Sequence, residues 1–97
     1  MPHIVRWSDN ALAGLTRLHA FLAESDPQVA QKALDAIEAG TDVLEQFPHV
    51  GRPADDLEPE YGELLIPFGA SGYAVFYEVG EGYVLILSLK HQREAGY

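Results

Sequence analysis

Two helical stripes of apolar residues are separated only by Ser25 and Asp26, and Pro27 follows at once. Aspartate before proline is a helix-start signal, because proline at the first helical position gives up a donor that would have no partner there. A link this short turns the second helix back along the first, so the chain is expected to contain an antiparallel helical hairpin. The first helix is predicted over residues 9–24, with Ser8 as N-cap and Asp9 near the positive end. Ala11, Leu15, Leu18 and Leu22 recur at helical spacing, and Leu12 and Phe21 widen that stripe into a core-facing surface. The second helix starts at Pro27, carries Ala30, Ala33, Leu34, Ile37, Leu44 and Phe47 on its apolar side, and ends at Pro48.

Strands are expected on both sides of this hairpin. Residues 3–7 include Ile4, Val5 and Trp7, residue types that favour a short strand. Residues 61–66, 73–79 and 83–89 are rich in aliphatic and aromatic side chains and are separated by residues 67–72 and by Gly80, Glu81 and Gly82. The strand at 73–79 is apolar on both alternating sets, which suits an interior strand covered on both faces; one cover is the hairpin, and residues 91–97 are the candidate for the other. Residues 48–59, punctuated by Gly51, Arg52, Pro53, Asp55 and Asp56, read as a loop. Within the second helix, Gly40 costs on the order of 1 kcal/mol relative to alanine, which marks close packing against another backbone. Asp35, Glu38, Asp42 and Glu45 form an outward acidic ridge, to be read either as a solvated face or as a docking face for a basic partner.

With 97 residues the chain fits one domain, residues 1–97, since each half would be too small for a stable core. It has no cysteine, so packing must supply its stability, and a reducing cytoplasm is the expected setting. No apolar run has the length of a membrane span and the N-terminus lacks the layout of a signal peptide. A formal charge of −9 repels polyanions at long range, within a screening length of about 8 Å at physiological salt, and disfavours nonspecific nucleic-acid binding. His3, His19, His49 and His91 lack ligand spacing, so no metal is expected. Gly69, Ala70, Ser71 and Gly72 join two strands without opening a helix, so no nucleotide cofactor is expected either.

The order of elements is β-α-α-β-β-β: an α+β fold with an N-terminal strand and a two-helix hairpin packed on a C-terminal antiparallel sheet. Within that order stand Trp7 and Ser8 opening the first helix, Phe47 and Pro48 ahead of Gly51 and Arg52, and Glu63 and Leu64 leading to Ser71, Gly72 and Tyr73. His91, Gln92, Arg93 and Glu94 close the series. Together these resemble the RelE/ParE toxin superfamily of type II toxin-antitoxin systems over essentially the whole chain, and the ParE-like branch more closely than RelE. The resemblance implies a toxin held inactive by an antitoxin whose extended C-terminal segment wraps around it. It also implies one of two activities: ribosome-dependent mRNA cleavage in the RelE branch, or inhibition of DNA gyrase in the ParE branch.

Cleavage of RNA by its own 2′-hydroxyl needs a base, cationic donors around the phosphate, and an acid for the leaving oxygen. Arg52, Lys90 and Arg93 are the candidate cations, His91 or Glu63 the candidate base, and Tyr97 a stacking or donating group. Each has a structural alternative: Arg52 as a loop anchor on Asp55 or Asp56, His91 as a packing histidine, Glu63 as a salt-bridge partner, Tyr97 as a fraying terminus. Two departures from the family pattern weaken the enzymatic reading. Gly62 stands where an arginine commonly precedes the Glu-Leu pair, and Glu78 stands where relatives often carry a basic residue. The expectation is therefore a ParE-like toxin acting on gyrase, with a ribosome-dependent endoribonuclease and a non-toxic antitoxin-binding scaffold as alternatives. The acidic balance further implies an antitoxin segment more basic or more apolar than usual.

Overall fold

A computed structural model describes residues 2–54 and 58–92. Ser8, extended in its backbone, accepts the Ala11 amide at 3.1 Å through Oγ and so opens α1 (Asp9–Ser25). Asp26 ends that helix and caps the next, accepting the Gln28 amide at 2.9 Å and starting α2 (Pro27–Asp42). The second helix tightens into a 3-10 turn over Val43–Glu45, so regular helix stops short of Pro48.

One mixed five-stranded sheet carries the helices. Its strands are β1 (Ile4–Trp7), β2 (Arg52–Pro53), β3 (Tyr61–Phe68), β4 (Ser71–Gly80) and β5 (Tyr83–His91), in the order β1-β5-β4-β3-β2. The three late strands form an antiparallel meander, as the sequence predicts, but they run further into the first hairpin. Its turn is Gly69 and Ala70, with Gly69 at φ +62, in the left-handed region that favours glycine. The first strand lies parallel to the last, Ile4 opposite Tyr83 and Trp7 opposite Ile86. Residues 48–59, expected as a loop, contain β2, which pairs Arg52 with Glu63.

Strand alternation assigns the two faces. Val5 and Trp7, Leu64 and Ile66, Tyr73, Val75 and Tyr77, and Val84, Ile86 and Leu89 meet the helices and form the core with Ala11, Ala33, Ile37 and Leu44. Register sets Tyr61, Glu63 and Leu65, Ala74, Phe76 and Glu78, and Ser88 and Lys90 on the opposite face. A bulge keeps both sets aligned: Phe76 faces Ser88 while Tyr77 faces Ile86, so Leu87 is an extra residue. Its carbonyl accepts from Ser8 Oγ at 3.2 Å and Asn10 Nδ2 at 2.9 Å, which ties the bulge to the first turn of α1.

Three apolar side chains assigned to the core by periodicity stand in solvent instead: Leu12 at 46%, Phe21 at 64% and Phe47 at 65% exposure. Helical spacing places Leu12 and Phe21 beside the buried stripe, whereas Phe47 lies past the end of the helical segment. Gly40 does mark close packing, though against the Ile66 side chain rather than a backbone. A Cβ there would stand 2.9 Å from Ile66 Cδ1. The cover proposed for the second face of β4 falls largely on residues 93–97, outside the described residues.

Candidate functional site

The sequence-derived candidates are divided between the two faces of the sheet. Arg52 is held by β2 opposite Glu63, on the face turned away from the helices. Its Nε donates to Glu63 Oε1 at 2.6 Å and its Nη2 makes an ion pair with the same oxygen. Arg52 stays 64% exposed while the Glu63 side chain is 13% exposed, so the carboxylate is seated and the guanidinium closes over it. Glu63 is thus engaged as a salt-bridge partner. Asp55 and Asp56, the other partners considered for Arg52, lie outside the described residues, as do Arg93 and Tyr97.

His91 ends β5 opposite Tyr73, on the helix-facing side. Its Nε2 is 2.9 Å from Ser71 Oγ and its ring meets Tyr73 edge-on, centroids 5.6 Å apart. Arg52 and His91 are therefore not brought together. Lys90, one residue earlier, has the opposite strand parity and pairs with Ala74.

The face bearing Arg52 also carries a stacked pair, Tyr61 on Phe76, with centroids 5.7 Å apart and planes 11° from parallel. Glu78 accepts a hydrogen bond from the Tyr61 hydroxyl. That bond, then the carboxylate's charge, raises the Tyr61 pKa above its ordinary value of 10.0. Register alone would have revealed this stack, since Tyr61 faces Glu78 and Glu63 faces Phe76, but register is not legible from one strand at a time.

Gly62 has a structural reason. The Tyr77 ring lies across it toward Gly51, whose amide donates to Tyr77 Oη at 3.1 Å. Burial raises the Tyr77 pKa and the Gly51 amide partly opposes that rise. An arginine at 62 would need the space this ring occupies.

A groove of about 560 Å³ opens between α1 and the β3–β4 hairpin, with Phe21, Phe68, Tyr73 and Leu89 among its apolar walls. Arg17 and His91 also line it, Lys90 borders it from a strand position of opposite parity, and among the described residues no aspartate or glutamate does. In a chain of charge −9 this is a local reversal of sign. Phe21 belongs to this groove, which accounts for its exposure. No group of described residues forms a metal-ligand cluster, and no described helix is long and apolar enough to cross a membrane.

The meander, hairpin and parallel first strand define a toxin-like α+β fold, and the comparisons agree. The family model for the ParE toxin of type II toxin-antitoxin systems, parDE, matches residues 5–96. Toxin RelE1 of Caulobacter vibrioides is 32% identical over 94 residues, covering 97% of this chain and 98% of its own length. Toxin RelE3 of the same organism is 31% identical over 90 residues, covering 93% and 95%. A structure of the chromosomal ParDE toxin-antitoxin system of P. aeruginosa superposes with a TM-score of 0.76 at 21% identity, covering 92% of this chain and 95% of that one. The toxin-antitoxin complex RelBE2 of Mycobacterium tuberculosis gives 0.62, also at 21%, covering 95% and 100%. The chain belongs to the ParE/RelE family of type II toxins.

Proposed function

We propose that residues 1–97 form a single ParE-like toxin domain that acts in the cytoplasm, arrests growth by binding DNA gyrase, and is neutralised by a cognate antitoxin. The observation that carries this reading is the separation of Arg52 from His91 onto opposite faces of the sheet. General acid-base cleavage needs a base and phosphate-binding cations around one reacting centre. Here Arg52 is occupied by Glu63, and Glu78 adds a second carboxylate to the same face. A binding toxin needs no such constellation; it needs an apolar anchor site with charges that set orientation. The groove beside Phe21 offers both, and its Arg17 suits an antitoxin segment that is apolar and locally acidic. The test is a supercoiling reaction with purified protein. Inhibition of gyrase, relieved by the antitoxin, is expected; full supercoiling at micromolar protein would remove gyrase as the target.

The relatives named RelE favour a second reading, a ribosome-dependent endoribonuclease. It would draw on Arg52, Arg93 and Tyr97, with Glu63 or His91 as base. Primer extension on translated messages after induction would then show discrete cuts, and uncut messages in arrested cells reject it. A non-toxic scaffold, the third possibility, is rejected by growth arrest on induction without the partner.

A further inference from the structure

Among the described residues the sheet ends at β1, and no other strand pairs with this edge. Ile4 donates to the Gly82 carbonyl at 3.0 Å and Ser8 to Ile86 at 2.9 Å, so the even-numbered residues direct their main chain at β5. The odd-numbered ones point away. His3 donates outward to Glu45 at 2.8 Å, while the outward amides and carbonyls of Val5 and Trp7 have no partner among the described residues. An unpaired strand edge is a template for another strand.

Beside that edge runs a groove of about 360 Å³ between β1 and α2. Val5, Trp7, Leu15, Leu34 and Ile37 give it apolar walls, and Glu38, Asp42 and Glu45 also line it, all three exposed. Carboxylates three and four apart on a helix stand about 5–6 Å from one another. Alternate residues of a strand on one face are about 6.6 Å apart, close enough for flexible cationic side chains to match that ridge. On the other face of the same edge, Ile4 is 59% exposed and Arg6 disfavours a further cation.

We propose that the β1 edge is a docking site for an extended protein segment in which Lys or Arg alternates with aliphatic residues. The segment adds a sixth strand through the main chain of Val5 and Trp7. Its cationic stems lie over Leu34 with their heads on Glu38, Asp42 and Glu45, and its aliphatic side chains pack beside Ile4. This stands apart from the toxin reading, since neither gyrase nor the groove beside Phe21 enters it.

Trp7 is the only tryptophan, so its fluorescence reports this groove directly. The probe is a synthetic peptide of about eight residues alternating Lys and Val, compared with one alternating Glu and Val. Expected results are a saturable Trp7 shift and displaced Val5 and Trp7 amide resonances with the Lys-Val peptide only. Replacing the rim by Glu38→Gln, Asp42→Asn and Glu45→Gln together should weaken binding by about tenfold or more, as three exposed ion pairs would. Val5→Pro removes an outward donor, a change edge strands tolerate, and should abolish binding. If that variant does not fold, the amide resonances of the unaltered chain decide the same point. Binding that leaves the Val5 and Trp7 amides unmoved, equal affinity for the two peptides, or full affinity in the rim variant overturns the proposal. Self-association of the protein alone that Val5→Pro dissolves would give the edge to a second copy and overturn it equally.

Discussion

The Tyr77 ring fills the space above Gly62: a Cβ on Gly62 would stand 2.7 Å from Tyr77 Cζ and 2.8 Å from its hydroxyl oxygen. Gly62→Arg therefore does not simply restore a cation to the surface. It is expected to lower stability by about 1–3 kcal/mol through overpacking. Thermal unfolding checks this, with roughly 4–8 °C of Tm per kcal/mol for a domain of this size. Combining it with Tyr77→Ala should cost less than the two separate losses summed, because the ring that clashes is gone.

Arg52 and Glu63 form a pair that is exposed on its guanidinium side, and its energetic weight is small. A double-mutant cycle with Arg52→Ala and Glu63→Ala should give a coupling of about 0.2–1 kcal/mol, read by denaturant unfolding. The coupling should fall as salt is added, because the guanidinium side is 64% exposed to screening ions.

Tyr61, Tyr73 and Tyr77 all have pKa values raised above 10.0, Tyr61 by the Glu78 hydrogen bond and the other two by burial. The folded state thus keeps three protons that the unfolded chain releases first. This contribution to stability is whole below the unfolded value of about 10 and is lost as pH rises through the folded values. Denaturant midpoints should fall with alkaline pH. Glu78→Gln should bring the Tyr61 phenolate absorbance transition back toward its ordinary position while leaving the other two in place.

Phe21→Ala tests the groove beside α1. Because this ring is 64% exposed, stability should change by no more than about 0.5 kcal/mol. If the groove receives the antitoxin, the same change should weaken that complex by about 2 kcal/mol or more, as loss of an aromatic anchor does. Calorimetric titration of antitoxin into each protein measures it.

Ser8 acts at both ends of one side chain, capping α1 and donating to the bulge at Leu87. Ser8→Ala should cost about 1–2 kcal/mol in the same unfolding measurement.

Both helix starts were legible because Ser8, Asp26 and Pro27 act on backbone groups a few residues away. The meander was legible from its three apolar runs. Nonlocal pairings were not. Arg52 finds Glu63 only once β2 and β3 align, and the bulge at Leu87 becomes evident only in register. Leu12 and Phe21 were misread because helical period reports which residues share a side, not how far the opposing layer extends, and Phe47 because the helix ends before it. Gly62 read as a missing charge, whereas its role is room for a ring. His91 and Arg52 were grouped by chemistry, and strand parity separates them.

The parallel seam between β1 and β5 joins the opening residues of the chain to its closing strand. On a ribosome, Ile4 through Trp7 emerge early and then wait through two helices and the first two strands of the meander before β5, their neighbour in the sheet, arrives. The first helix waits as well, since its Gly14 lies against Leu89. Closure is therefore a late event in synthesis, and a product cut off before Tyr83 lacks the strand that holds its two ends together.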